Sequence, residues 1–280
     1  MNCTAPVLEH SAKGPGRIPE ASSVANVVAD VVAADIVPAD VLGYFNTLSD
    51  TLGPMHWWPA RTPFEVIVGA ILTQNTAWSN VERALINLRR ERLLTPRAIE
   101  RVSTPRLARM VRPAGCYRQK TRKLKEFVRF LRRAYGGSLE RMFRTPTLEL
   151  RERLLAVHGI GPETADSILL YAGGHAIFVV DAYTHRIFER HGLHAGKPDY
   201  ERIRAMVESS LPREARVYNE FHALLVRVGK NWCRTRNPKC DECALRAHLP
   251  ADSIYRSAPH AGDGYERIAP LFTLTSERPA

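Results

Sequence analysis

The sequence LLAVHGIGPETADSILLYAGGHAIFVVDAYTHRIFER, residues 154–190, decides the fold. Two segments with helical apolar spacing are joined by Gly159-Ile160-Gly161, and glycine permits the sharp turn between them. Amides at the start of the second helix are suited to binding a phosphate. A short apolar run then brings Asp181 to the expected start of another helix, whose dipole favours an ionised carboxylate. The stretch predicts a phosphate-binding helical hairpin followed by one functional carboxylate, with a tight turn and an N-cap aspartate as the purely structural alternatives.

The positive charge of the chain is concentrated in one region. The 280 residues carry a formal net charge of +11. Residues 81–160 hold 21 lysines and arginines against 7 acidic residues, a balance of +14, so the rest of the chain is slightly acidic. Such a region fits a polyanionic partner, because neutralising phosphates releases counterions. A solvated, arginine-rich helical surface is the alternative explanation.

The apolar spacing predicts an all-α fold. Thr62-Pro63-Phe64-Glu65 combines a capping box with proline at the first helical position, and it opens a buried helical stripe. Ser79 with Glu82 predicts a second capping box, and residues 117–135 read as a basic helix. Residues 176–180 are too short for more than an extended connector.

The predicted organisation has two lobes around a cleft. Its segments are a disordered tail (1–38), a second helical lobe (39–63 with 175–231), a six-helix unit containing the hairpin (64–174), a cysteine-rich loop (232–250) and an unassigned C-terminal tail (251–280). Asp181 then lies at the mouth of the cleft, where ligand sites tend to form.

Longer motifs carry a family resemblance. They are Trp57-Trp58-Pro59, Phe64-Glu65-x-x-x-Gly69-Ala70-x-Leu72-Thr73-Gln74-Asn75-Thr76, Val111-Arg112-Pro113-x-Gly115-x-Tyr117-x-Gln119-Lys120, Gly159-Ile160-Gly161-x-Glu163-x-Ala165-Asp166 and Val179-Val180-Asp181-x-Tyr183. Together they resemble the endonuclease III superfamily of helix-hairpin-helix DNA glycosylases, and within it the bacterial 3-methyladenine DNA glycosylases. The resemblance spans roughly residues 40–245.

The resemblance implies a fold, a partner and a set of site residues. The fold is the two-lobed helix-hairpin-helix glycosylase fold, and the partner is double-stranded DNA with a damaged base. The implied residues are Asp181 for catalysis, Gly159, Ile160, Gly161 and Lys120 for DNA binding, Gln74 for the gap left by the flipped base, and Trp57, Trp58 and Trp78 for the base pocket.

The tryptophans are suited to a flipped base. Base flipping needs stacking surfaces, and an aromatic face also attracts a cation such as a purine alkylated at a ring nitrogen. Packing in the core or between the lobes is the structural alternative for Trp57, Trp58 and Trp78.

One departure from the family pattern bears on the chemistry. Bifunctional members carry a lysine two residues after the second hairpin glycine, where this chain has Glu163. A carboxylate cannot form an imine, so lyase activity through this position is excluded. The sequence therefore predicts a monofunctional glycosylase for alkylated purines. The alternatives are a glycosylase for oxidised pyrimidines or mismatched bases, and a non-catalytic DNA-binding protein that keeps the hairpin.

The cysteine-rich loop resembles an incomplete cluster site. Cys233, Cys240 and Cys243 match three of the four ligands in the family's [4Fe-4S] pattern C-x6-C-x2-C-x5-C. Leu249 holds the fourth place, and the neighbouring His248 is a candidate replacement. An iron–sulfur cluster of structural role, a zinc site and a loop held by packing alone remain open.

The sequence also indicates a location and an assembly state. No apolar run is long enough to span a bilayer, and the apolar segment 24–37 is interrupted by Asp30 and Asp35, unlike a signal peptide. We therefore expect a cytoplasmic, nucleoid-associated monomer without membrane contact.

Overall fold

The fold is built of helices. The structure, a computed structural model, describes residues 40–55, 57–58, 60–194 and 199–255. Those ranges contain no β-strand, which confirms the predicted all-α class. The α-helices are α1 (Val41–Leu52), α2 (Pro63–Thr73), α3 (Trp78–Arg90), α4 (Pro96–Arg101), α5 (Thr104–Val111), α6 (Tyr117–Tyr135), α7 (Leu139–Phe143), α8 (Thr147–Leu155), α9 (Pro162–Ser167), α10 (Ala182–Arg190), α11 (Tyr200–Ser210) and α12 (Ala215–Asn231). Helix α9 continues as a π-helical turn over Ile168–Ala172, and 3₁₀ turns lie at Arg112–Ala114, Cys240–Glu242 and Arg246–His248.

Helix α2 is the centre of the core. Its residues 64–72 are all buried, because α3, α6, α9 and the π-helical turn pack around it. A helix that is apolar on nearly every face is stable only when it is surrounded in this way. The charged residue within this run, Glu65, is 3% exposed and pairs with Arg89 of α3.

The two predicted capping boxes have different outcomes. The hydroxyl of Thr62 accepts a hydrogen bond of 3.2 Å from the amide of Glu65, as predicted. The prediction for Ser79 and Glu82 is wrong, because α3 begins at Trp78 and its N-cap makes no side-chain hydrogen bond. Glu82 instead accepts a hydrogen bond of 2.9 Å from the indole N–H of Trp78, one turn earlier.

Helices α4 and α7 are two short helices that the six-helix prediction does not contain. Each has a hydroxyl N-cap, Thr95 and Ser138 respectively. Each also buries a single apolar residue, Ile99 in α4 and Met142 in α7. One buried residue cannot produce a periodic stripe, so the apolar spacing does not indicate these helices.

Helices α1, α10, α11 and α12 form the second group of helices. Helix α12 packs along α10 and against α1, and α11 also contacts α1. Helix α12 approaches α10 closely at Gly229, where an added Cβ would lie 2.3 Å from Cδ1 of Tyr183. Glycine at this position therefore allows α12 to support the start of α10, where Asp181 lies.

The predicted domain boundaries stay predictions. The predicted tail at 1–38 lies outside the described residues, as does 251–280 beyond residue 255. Within the described part of the chain, no helix has the length and apolar character needed to cross a bilayer.

Candidate active site and hairpin

Asp181 is the N-cap residue of α10. The buried, extended segment 177–180 precedes it and fixes its position. Its Oδ1 accepts hydrogen bonds of 2.8 Å from the amide and 2.9 Å from the hydroxyl of Thr184. Its Oδ2 takes no part in the cap and faces Nε2 of His222 at 3.6 Å. The cap and a chemical role therefore use different oxygens of the same carboxylate.

Two charged groups flank Asp181. Glu163 lies in the first turn of α9. Desolvation of its carboxyl and, secondly, the negative charge of Asp181 raise the pKa of Glu163 to about 7, although the residue as a whole is exposed. Lys230 lies near the end of α12, with its ammonium 5.3 Å from the ring centroid of Trp57. Partial desolvation lowers the pKa of Lys230, while Asp181 acts in the opposite direction.

The three predicted pocket tryptophans lie in one aromatic cluster. The ring centroid of Trp58 lies 5.9 Å from Trp57, 5.2 Å from Trp78 and 5.0 Å from Tyr171. Gly69 of α2 leaves room for this cluster, since an added Cβ would already lie 3.4 Å from Cζ2 of Trp58. The indole N–H groups of Trp57 and Trp58 are buried and have no hydrogen-bond partner within the described chain. The cluster thus offers aromatic faces and two free donors.

The hairpin turn joins α8 to α9. Gly159 has φ of +86°, and an added Cβ would lie 2.6 Å from Cγ of Lys123, so this position favours glycine on both counts. Ile160 is 4% exposed and anchors the turn in the core. Gly161 is the N-cap of α9 with φ of −96°, and no atom lies within 4 Å of an added Cβ. The backbone at Gly161 is therefore open to the close approach of a ligand.

Gln74, at the end of α2, is bonded to the hairpin. Its Nε2 donates hydrogen bonds of 3.1 Å to the carbonyl of Gly159 and 2.9 Å to the hydroxyl of Thr164. Its Oε1 accepts a hydrogen bond from the ammonium of Lys123. The side chain that is predicted to enter a base gap is thus held against the hairpin in this structure.

Lys120 is not placed for a phosphate contact. It is 3% exposed, and its ammonium donates a hydrogen bond of 2.7 Å to the carbonyl of Ala114. Burial and the nearby charge of Lys123 lower the pKa of Lys120 to about 8. In this structure the side chain of Lys120 stabilises the turn before α6, and its assignment to DNA binding stays a prediction.

The three loop cysteines line one small cavity. Leu249 lines the same cavity, so the residue in the fourth-ligand place faces the three thiols. His248 does not line it; its Nε2 hydrogen-bonds the hydroxyl of Thr47 at 2.9 Å, and its ring packs on Tyr44. The proposal of His248 as a fourth ligand is therefore not supported.

The donor set around the cavity consists of thiols. Among the described residues, no three histidine, cysteine or carboxylate side chains lie close enough to hold a single metal ion. The cysteines nevertheless surround one space, and Cys233 and Cys243 are buried. Thiolates ligate both zinc and iron–sulfur clusters, so the chemistry of the lining is compatible with either group.

Three neighbours of Asp181 are not indicated by the sequence pattern. Lys230 and His222 both lie on α12, and Tyr171 lies in the π-helical turn. His222 occupies a buried position next to Phe221, where an apolar residue is expected. A histidine in an apolar stripe is the only signal in the sequence that points to this part of the site.

The chain matches proteins of known family. The family model described as HhH-GPD superfamily base excision DNA repair protein matches residues 68–213. A Methanocaldococcus jannaschii protein, whose name places it among the DNA repair glycosylases, is 46% identical over 72% of this chain and 92% of its own length. Endonuclease III of Thermotoga maritima is 30% identical over 66% of this chain and 82% of its own length.

Solved structures show the same architecture. Helicobacter pylori 3-methyladenine DNA glycosylase bound to 1,N6-ethenoadenine is 29% identical, with a TM-score of 0.61 over 68% of this chain and 97% of that chain. A non-covalent endonuclease III–DNA complex, 20% identical, has a TM-score of 0.66 over 77% of this chain and 96% of that chain. The predicted family and fold are confirmed. The chain belongs to the HhH-GPD superfamily of base excision DNA repair proteins and is a DNA glycosylase of that superfamily.

Proposed function

We propose that the chain is a monofunctional DNA glycosylase that acts, as a monomer, on alkylated purines in duplex DNA. The observation that carries the proposal is the carboxylate of Asp181, whose Oδ2 takes no part in the helix cap and faces His222. Glu163 lies near this carboxylate, at the position where the family resemblance places the lyase lysine. An imine with the sugar requires an amine, which Glu163 does not offer.

The reaction would be hydrolysis of the N-glycosidic bond. The bond electrons leave with the base, and positive charge develops on the sugar. The carboxylate of Asp181 stabilises that charge and orients or deprotonates the attacking water, whose oxygen bonds to the sugar carbon. The water proton passes to Asp181, which returns it to solvent or to the departing base.

The aromatic cluster supports a purine with a modified ring as the flipped base. Trp57, Trp58 and Trp78 supply stacking surfaces for a flipped base. A relative's structure holds 1,N6-ethenoadenine, an alkylated adenine. Because Lys230 places a positive charge on Trp57, we expect a neutral adduct of this kind to be released at least as well as a cationic methylpurine.

A panel of lesions tests the substrate class. Duplexes carrying 3-methyladenine, 1,N6-ethenoadenine, thymine glycol or a G·T mismatch are incubated with the protein, and the free bases are separated by chromatography. Release of the two alkylated purines is expected. Release restricted to thymine glycol or mismatched thymine would favour a different glycosylase, and tight binding without any release would favour a non-catalytic protein.

The absence of lyase chemistry is testable by borohydride trapping. The wild-type protein is expected to give no covalent complex with DNA from which the damaged base has been released. Glu163→Lys restores an amine at the hairpin and should gain trapping, so it serves as the positive control. Lys230→Gln tests a second amine at the site. If the wild-type protein is trapped and Lys230→Gln is not, Lys230 performs lyase chemistry. That result would end the monofunctional proposal.

We propose that the amides around Gly161 bind a DNA phosphate. Alanine is compatible with the backbone at Gly161 and meets no atom of the protein, so its methyl group occupies only the space of the ligand. We expect Gly161→Ala to bind duplex about tenfold more weakly while its melting temperature shifts by no more than about 2 °C. Fluorescence anisotropy and thermal unfolding measure the two effects.

Gly159→Ala is the matched comparison. Its methyl group would displace Lys123 and strain a backbone of positive φ, so both stability and affinity should fall. Duplex affinity of Gly161→Ala equal to that of wild type at the same salt concentration would rule out the phosphate contact at this turn.

We further propose that Cys233, Cys240 and Cys243 hold an iron–sulfur cluster. Such a cluster supplies folding energy to the loop rather than catalysis. Leu249 leaves one iron without a protein ligand, so Leu249→Cys should retain more iron in air after anaerobic reconstitution with iron and sulfide. Metal analysis that finds stoichiometric zinc, or no iron uptake by either protein, would refute the cluster.

A further inference from the structure

A buried histidine lies between Asp181 and a tyrosine of the aromatic cluster. His222 is 5% exposed, and its ring centroid lies 6.2 Å from Phe178 and 5.8 Å from Tyr171. Its Nε2 lies 3.6 Å from Oδ2 of Asp181 and finds no hydrogen-bond partner in the part of the chain that is described. Its Nδ1 is hydrogen-bonded to the hydroxyl of Tyr171. The three side chains therefore form a line from the pocket to the carboxylate.

The chemistry of Tyr171 and Asp181 determines which nitrogen of His222 carries the proton. Burial lowers the pKa of His222, so the imidazole is neutral and carries one N–H. A carboxylate only accepts hydrogen bonds, so the proton is favoured on Nε2, which faces Asp181. Nδ1 then accepts from Tyr171, whose hydroxyl stays protonated because burial raises its pKa well above the ordinary value.

We propose that His222 is a positioning residue for Asp181 and that Tyr171 holds His222 in the required tautomer. The inference rests on the proposed catalytic role of Asp181. Thr184 holds Oδ1, and the Nε2–H group of His222 faces Oδ2, so that the carboxylate keeps one orientation toward the sugar. At 3.6 Å the separation between Nε2 and Oδ2 is longer than a hydrogen bond, so the contact is the electrostatic attraction of an N–H group for a carboxylate.

Tyr171 connects His222 and Asp181 to the aromatic cluster proposed as the base pocket. Its ring centroid lies 5.0 Å from that of Trp58. A base that stacks in the aromatic cluster therefore contacts the same group of rings that fixes the tautomer of His222. Filling the pocket and orienting the carboxylate are in this way coupled through one side chain.

Single-turnover base release measures the contribution of His222. With duplex containing 1,N6-ethenoadenine and enzyme in excess, we expect His222→Leu to release the base about 100-fold more slowly than wild type. His222→Gln, which can place an N–H near the position of Nε2, should recover at least about tenfold of that loss, and Tyr171→Phe should be intermediate. Affinity for a duplex with an abasic-site analogue should not change in any of them.

The outcomes separate positioning from a structural role. A wild-type rate in His222→Leu, or equally slow release by folded His222→Gln and His222→Leu, overturns the proposal. If His222→Leu does not fold, His222→Gln and Tyr171→Phe are compared with wild type, and wild-type rates in both overturn it.

A spectroscopic measurement does not depend on activity. Nitrogen-15 NMR of the wild-type protein should show His222 as the neutral tautomer with the proton on Nε2, and Asp181→Asn should shift that nitrogen. A proton on Nδ1 or a charged imidazolium overturns the inference even in an active enzyme. A protein that releases no base, but shows the expected tautomer, contradicts the proposed function and leaves the hydrogen-bonded line intact.

Discussion

Asp181→Asn is expected to slow base release by about 1,000-fold or more while the protein stays folded and binds duplex DNA as wild type does. Asparagine caps helices about as well as aspartate, so the hydrogen bonds that Oδ1 accepts from Thr184 can be kept. The substitution removes the negative charge and keeps the size of the side chain. The rate loss then reports the stabilisation that this charge gives to the developing positive charge on the sugar.

A second N-cap aspartate offers a matched control for this result. Asp199 caps α11 by accepting a hydrogen bond of 3.0 Å from the amide of Arg202. Asp199→Asn makes the same chemical change at the same kind of helix position, and it should leave base release unchanged. Rates are measured under single-turnover conditions and affinity on an abasic-site duplex. Unreduced turnover by Asp181→Asn would show that another group drives the reaction.

Local signals in the sequence predict the turn of the hairpin and the N-cap position of Asp181, and the structure confirms both positions. Gly159 has a positive φ and Gly161 is an open N-cap. Both features are properties of the turn itself and do not depend on distant parts of the chain. Asp181 is indicated by the apolar run before it and the helix after it. Their positions depend on short-range backbone geometry, which the residue types reveal directly.

The surroundings of Asp181 depend on tertiary packing, which residue types do not reveal. His222 and Lys230 come from α12, and Tyr171 comes from an irregular turn, far apart along the sequence. The position of Lys120 also depends on tertiary packing, since a lysine in a basic helix is expected to face solvent. It points inward instead, because the carbonyl of Ala114 at the preceding turn needs a donor.

The hairpin is also held by a buried ion pair, whose loss should produce the largest change in stability. Arg151 of α8 donates hydrogen bonds of 2.7 and 3.1 Å to the two carboxylate oxygens of Asp166 in α9. Tyr200 of α11 donates a third at 2.8 Å. Asp166 is 0% exposed, so removing the guanidinium leaves an uncompensated buried carboxylate. The pair joins the helices on both sides of the turn.

Arg151→Met is expected to reduce the free energy of unfolding by about 3 kcal/mol or more and the melting temperature by roughly 10 °C. Glu201→Gln removes the half-exposed second partner of Arg151, which also pairs with Arg204, and should cost less than about 1 kcal/mol. Adding Asp166→Leu to Arg151→Met should recover much of the loss, because the unpaired charge is then absent. Duplex affinity should follow the same order in the three variants, since α8 and α9 hold the turn that contacts the phosphate. Full stability of Arg151→Met in thermal and denaturant unfolding would mean that packing alone fixes the hairpin.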